Sequence, residues 1–290
     1  MCSASEGQSR RSPISTFSPG ALRRVLRTAD GVLVEAVYEP CTAGFEGNSP
    51  AAGGTAIVVA HGFTGSVDRP AVRRAARVFA QRAAVVTFSF RGHGRSGGRS
   101  TVGDREVLDL AAAVEWARSL GHPGVATVGF SMGGSVALRH AALHRGRTEA
   151  RTDAVASVSA PARWYYRGTA PMRRLHWVVT RPTGRFVGRY GFRTRIHDRD
   201  WDPVPLSPVE SVPLIAPTPL LVVHGDRDPY FPLDHPRMLA AAGAAELWLE
   251  PGMGHAENAA DEPLLARLAD WLVDAAARPR PAAPDAPRTA

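Results

Sequence analysis

Short β-branched apolar runs alternate along this chain with segments whose apolar residues recur every three or four positions. That switching of period predicts its elements. Residues 22–28 and 32–38 flank Asp30-Gly31, a hairpin turn signal, and read as two antiparallel strands. A loop with Gly53-Gly54 leads into a buried strand at 55–60 that ends at His61-Gly62-Phe63. Val72, Ala75, Ala76 and Phe79 then lie at helical spacing within 70–83. A strand at 85–90 runs into a glycine-rich loop, Arg91 to Gly98. Val107, Leu110, Ala111 and Val114 mark the next amphipathic helix. A strand at 125–128, a helix at 135–143 and a strand at 154–159 follow. After Pro161 the alternation stops for about fifty residues, and the proline-rich stretch 203–219 reads as an extended return. It resumes with a strand at 219–224, a helix around 236–242 and a last strand at 246–250. A final helix carries Leu264, Leu268, Trp271 and Leu272 on one face. Strands alternating with helices predict an α/β protein, a mainly parallel sheet with helices on both faces.

Composition narrows the class. At 290 residues the chain can bury one substantial α/β core with an insertion. With 44% apolar and 21% charged residues it reads as globular, and no 18-residue apolar run is present to span a membrane. Residues 1–20 carry arginines without an apolar stretch behind them, so they read as a disordered tail and not a secretory signal. The Pro- and Ala-rich residues 277–290 read as a second disordered tail. The two cysteines, Cys2 and Cys41, form no disulfide framework and have no metal-ligand spacing, which points to reduced thiols in a cytoplasmic protein.

The chemistry centres on Gly129-Phe130-Ser131-Met132-Gly133-Gly134, a G-x-S-x-G pattern between a strand and a helix. Such a turn is sharp and strained, and side chains at Gly129 or Gly133 would collide with neighbouring elements. A serine hydroxyl is a poor nucleophile at neutral pH and needs a base within reach and a group to orient that base. Downstream lie His224-Gly225-Asp226-Arg227-Asp228-Pro229 at one strand end and Gly252-Met253-Gly254-His255 after the last strand. All three segments fall on the C-terminal edge of the predicted sheet, where open α/β sheets bind ligands.

Across residues 22–272 the chain resembles the α/β-hydrolase superfamily, in particular small bacterial serine esterases and related acyl hydrolases. The resemblance rests on the G-x-S-x-G elbow, the G-x-x-D of Gly225 to Asp228 and the G-x-G-H of Gly252 to His255, in that order. It implies an α/β-hydrolase fold over residues 21–276, with a short cap insertion at 162–213. It also implies Ser131 as nucleophile, Asp228 as orienting acid and His255 as base. Asp226 is the competitor for the acid, with a turn residue accepting backbone N–H bonds as its ordinary role. The family places its aspartate three residues after the strand-end glycine, which selects Asp228. His235 sits at a predicted helix start, where capping or solvation is expected. The backbone N–H groups of Met132 and Phe63 are the expected oxyanion donors, and His61 is expected to be structural. The Arg91 to Ser96 loop resembles the superfamily's R-G-x-G-x-S turn. It lacks a following Lys-Ser/Thr and so does not read as a nucleotide site.

The implied activity is hydrolysis of a carboxylic ester through an acyl-enzyme, on a small-molecule acyl substrate, with no metal, organic cofactor or nucleic acid. A thioesterase or aminopeptidase would use the same machinery, and a hydrolase-fold receptor would hold a ligand without turnover. The net charge of +8 is almost all in the insertion. Residues 162–202 hold ten of the 35 arginines against three acids, Asp198, Asp200 and Asp202, among eight aromatic residues. A solvated arginine face is the ordinary reading of such a run; the alternative is a door that selects anionic acyl or leaving groups, or binds an acidic surface.

Overall fold

The computed structural model describes residues 20–42, 54–146 and 149–278. The expected tails at 1–20 and 277–290 fall almost wholly outside these residues, as do Cys2 and Gly53. The strands are β1 (Leu22–Arg27), β2 (Leu33–Glu39), β3 (Ala56–Ala60), β4 (Ala84–Phe88), β5 (Val125–Phe130), β6 (Ala154–Val158), β7 (Leu220–Gly225) and β8 (Ala245–Glu250). They form one sheet in the order β1-β2-β4-β3-β5-β6-β7-β8. The first hairpin pairs antiparallel and β2 joins β4 antiparallel; every other pairing is parallel. The predicted α/β class, with its mainly parallel sheet, is therefore what the chain adopts.

Helices α1 (Pro70–Phe79), α2 (Glu106–Ser119) and α3 (Met132–Leu143) follow β3, β4 and β5. The long connection from β6 to β7 carries α4 (Ala170–Thr180), α5 (Pro182–Tyr190) and α6 (Pro208–Ser211). Helices α7 (Asp234–Ala241), α8 (Ala256–Ala259) and α9 (Glu262–Ala277) complete the described residues. Continuous apolar runs in β3 to β7 are buried on both faces. Val58, Val86 and Phe88 pack on one side with Leu110 of α2 and Leu138 of α3. Ile57, Val59 and Val85 pack on the other with Phe79 of α1 and Leu265 and Leu268 of α9.

Two expectations change. The stretch 203–219 is not simply extended. Ser207 and Glu210 form a reciprocal cap that starts α6, and a 3₁₀ turn follows at Val212–Leu214. The helix after the elbow begins at Met132, three residues earlier than expected. Gly133 and Gly134, poor helix formers alone, are held there by close packing (below).

Beside the sheet, buried Arg91 pairs with buried Asp109 and with the more exposed Asp30. Its guanidinium lies 2.7 Å from each carboxylate, and its own N–H donates to Asp109 at 2.8 Å. Burial acts against the Asp30 carboxylate, yet the bonds from Arg91 and Thr28 hold its pKa down at about 2. The first arginine of the glycine-rich loop thus ties the β1–β2 turn to α2. We expect Arg91→Met to destabilise the fold by about 3–5 kcal/mol, because it leaves the buried Asp109 carboxyl, whose pKa burial already raises to about 7, without its partner. Arg95→Gln, on the exposed side of the same loop, should stay within about 0.5 kcal/mol. Thermal unfolding of the two variants checks both values.

Candidate active site

Strand β5 passes into α3 through Ser131, which has φ 53° and ψ −115°, a left-handed backbone costing about 1–3 kcal/mol. Packing imposes it. A Cβ at Gly129 would overlap the Gly133 carbonyl, and one at Gly133 would overlap the carbonyl of Ala60 at the end of β3. The first turn of α3 therefore rests directly on two strand ends, with the Ser131 N–H donating to Val158 of β6 at 2.8 Å.

His255 follows β8, and its Nε2 lies 2.9 Å from Ser131 Oγ. Its Nδ1 donates to Asp228 Oδ2 at 2.7 Å. Asp228 Oδ1 accepts the N–H groups of Tyr230 and Phe231 at 2.7 and 3.1 Å. Burial pushes the Asp228 pKa up, but the His255 bond and these amides outweigh it and hold the carboxyl below its usual range. An ionised Asp228 fixes Nδ1 of His255 as the donor and leaves Nε2 to accept from the serine. Asp226 lies elsewhere, accepting the Gly252 N–H at 2.6 Å across the neighbouring turn. The structure thus brings Ser131, His255 and Asp228 into one hydrogen-bonded line and leaves Asp226 outside it.

The loop after β3 stands against this line. Among the described residues, no partner claims the N–H of Phe63 or of Met132. Several groups around Phe63 are committed. Gly62 N–H donates to Glu257 Oε1 at 2.9 Å, and His93 Nε2 donates to the Phe63 carbonyl. His61 Nδ1 donates to the Gly62 carbonyl at 2.6 Å while its Nε2 accepts the Phe90 N–H at 3.0 Å. Full burial pushes the His61 pKa down to about 3, so it remains a neutral strut.

Four residues in or behind this site escape a reading of the sequence. Glu257, two residues past His255, is buried and joins the His255 loop to the Phe63 loop. Ser159, itself at φ 52°, accepts the Ala256 N–H at 3.1 Å and steadies the same loop. Glu106 collects the N–H groups of Thr101, Val102 and Gly103. His235 is buried, not solvated, and accepts the Ala162 N–H at 2.9 Å, holding the entry to the β6–β7 connection. Nothing in residue type distinguishes these acids and histidines from exposed ones; only their burial does.

A cavity of about 170 Å³ opens from Ser131 beneath α4. Its walls are mainly apolar, among them Trp164, Met172, Leu175, Val179, Ile196 and Phe231. Of the ten arginines at 162–202, Arg163 and Arg199 line it, and Arg163 is engaged with Asp234 at 3.0 Å. Among the described residues, no group of three His, Cys, Asp or Glu side chains is placed to hold a metal ion, and no helix is long and apolar enough to cross a membrane.

Comparison places this geometry in a known fold. The profile of the alpha/beta hydrolase fold family matches residues 55–187. The esterase Pf2001 of Pyrococcus furiosus superposes with a TM-score of 0.65 at 21% identity, covering 91% of this chain and 96% of that one. The hypothetical protein PA2218 of Pseudomonas aeruginosa superposes with a TM-score of 0.66 at 17% identity, covering 93% and 99%. XC6422 of Xanthomonas campestris, described as an α/β serine hydrolase without a lid, gives 0.54 at 22% identity, covering 92% and 99%. No curated protein matches the chain. The chain has the α/β-hydrolase fold.

Burial also lowers the pKa of His235, to about 4, and drives His140 well below its ordinary value. For a histidine whose folded pKa is depressed, the unfolded chain binds more protons from about pH 6.5 downward, so stability is full above that value and falls with pH. We expect the thermal midpoint to fall steadily from about pH 6.5 to about pH 5, above the range in which carboxylates ordinarily titrate. A pH series by calorimetry checks this, and a flat midpoint between pH 7 and 5 would contradict it.

Proposed function

We propose that this α/β-hydrolase-fold chain is a serine hydrolase that cleaves carboxylic esters through an acyl-enzyme. The observation that carries the reading is the line Ser131–His255–Asp228, with contacts of 2.9 and 2.7 Å, at a cavity that Phe63 and Met132 also line and whose N–H groups no described residue claims. Ser131 Oγ attacks the ester carbonyl carbon as His255 Nε2 takes the hydroxyl proton. The carbonyl oxygen becomes an oxyanion that accepts from Met132 N–H and Phe63 N–H, each donor worth roughly 10²–10³ in rate. Collapse breaks the bond to the alcohol, which leaves with the proton from His255, and the acyl group stays on Ser131. Water then attacks the acyl-enzyme by the same route, returning the free serine and releasing the acid. Asp228 remains ionised throughout, orienting the imidazole and stabilising its charged form.

The β6–β7 connection serves as the cap over this site. Its apolar walls favour an uncharged acyl or leaving group, because eight of its ten arginines lie outside the cavity lining. Esterase-type structural neighbours favour an oxygen ester over a thioester or amide. A screen of p-nitrophenyl esters, thioesters and amino-acid arylamides ranks the three.

Ser131→Ala and His255→Ala should each reduce kcat by roughly 10⁵–10⁶ without unfolding the protein, since such residues act as a unit. A fluorophosphonate probe should label the parent chain and not Ser131→Ala; a parent chain that stays unlabelled would identify a receptor instead of an enzyme. Asp228→Asn should cost about 10⁴ in kcat and Asp226→Asn far less, because Asp228 alone sets the imidazole tautomer. Equal losses in steady-state assays would move the acid. For neutral esters, KM should fall with acyl length and be indifferent to salt.

A further inference from the structure

Helix α5 is packed inside out. Its buried face is made of Gly184 and Gly188. A Cβ at Gly184 would overlap the Trp177 carbonyl of α4, so the glycines allow the two helices to approach closely. Its largest side chains point the other way. Phe186 and Tyr190 are each 64% exposed and lean together with centroids 4.6 Å apart, and Val187, Phe192 and Trp177 of the same two helices and the turn after them are exposed as well. Scattered apolar residues on a surface are ordinary, but a cluster of aromatics assembled by turning glycines inward needs a partner.

The charge around that cluster names the partner. Residues 173–193 contain Arg173, Arg174, Arg181, Arg185, Arg189 and Arg193 and no aspartate or glutamate. Arg181, Arg185 and Arg189 recur one turn apart, a like-charge spacing that weakens a helix by itself. None of the six forms a salt bridge among the described residues. A second copy of this face would set six arginines against six and repel. An anionic lipid surface meets both features, because guanidinium groups pair with phosphate oxygens while Phe, Tyr and Trp settle at the headgroup boundary.

We propose that the outer face of α4 and α5 docks on anionic lipid bilayers. Resting on the hydrolase reading above, the docking has a consequence for substrate. Helix α4 turns Met172, Leu175 and Val179 into the cavity and Arg173, Arg174 and Trp177 outward. The wall of the acyl cavity is therefore also the wall that meets lipid, which suits an apolar ester taken from the membrane surface.

The test separates docking from catalysis. Ser131→Ala protein is sedimented with vesicles of phosphatidylglycerol and phosphatidylcholine, or of phosphatidylcholine alone. Binding should be at least tenfold stronger to the anionic vesicles and should collapse in 1 M salt, where screening falls to about 3 Å. Adding Phe186→Ser with Tyr190→Ser, or Arg189→Gln with Arg193→Gln, should each weaken it about tenfold. In the chain that retains Ser131, the same pairs should leave turnover of a short soluble ester within about twofold, which shows that they fold. Three results would overturn the proposal: no binding to anionic vesicles at low salt, binding that survives both pairs, or binding of RNA with vesicles ignored. A dimer that Phe186→Ser with Tyr190→Ser converts to a monomer would overturn it too. Because no outcome depends on turnover in the sedimentation arm, failure of docking leaves the hydrolase reading standing, and failure of labelling at Ser131 leaves docking standing.

Discussion

The close seating of α3 on the ends of β3 and β5 is the constraint from which the site follows. Gly129 and Gly133 have no side chains because the Gly133 and Ala60 carbonyls occupy that space. The seating forces Ser131 into its left-handed backbone and sets the start of α3 against the Ala60 and His61 carbonyls where β3 ends. Strain of this kind persists only where its surroundings over-determine it. Here three strands, β3, β5 and β6, each contribute a backbone contact to the turn.

The loops that meet at this edge are held by buried polar groups as well as by apolar packing of Phe63, Phe90, Met253 and Ala256. Glu257 joins the His255 loop to the Phe63 loop, His61 and His93 fix the latter from beneath, and Arg91 anchors the glycine-rich loop to α2. Hydrogen bonds suit the task because they set direction as well as distance, and an unclaimed buried group is costly. Burial keeps His61 and His235 neutral, so these struts lend rigidity without adding charge to the site.

The β6–β7 connection divides its residues between two environments. Apolar side chains of α4 turn toward Ser131, while arginines and the aromatics of α5 turn outward. A single stretch that reads as one basic, aromatic block along the chain thus makes two surfaces of different chemistry, one facing a small apolar cavity and one facing outward. Glycines in α5 make the division possible by letting the helix pair lie close without interdigitating large side chains.

Much of this was written locally. The sheet was legible because β-branched runs such as Ile57-Val58-Val59 recur between helical periods, and period is a property of neighbouring residues. The elbow was legible because its glycines, serine and flanking elements lie within a few positions. The α/β class and the segments carrying Ser131, Asp228 and His255 therefore needed no structure. What the sequence left undecided was everything that depends on distant residues becoming neighbours. Asp226 and Asp228 are both acids in one turn; spacing alone favours Asp228, and the different partners of the two, Gly252 and His255, come from far along the chain. Ser207 and Glu210 cap a helix in a stretch that its prolines describe as extended. His235 and Glu257 look like surface residues until the Ala162 and Gly62 amides arrive from far along the chain. Nor does arginine content say which guanidinium faces a cavity. Local preference sets which elements form; burial, which belongs to no single segment, decides what each polar side chain does.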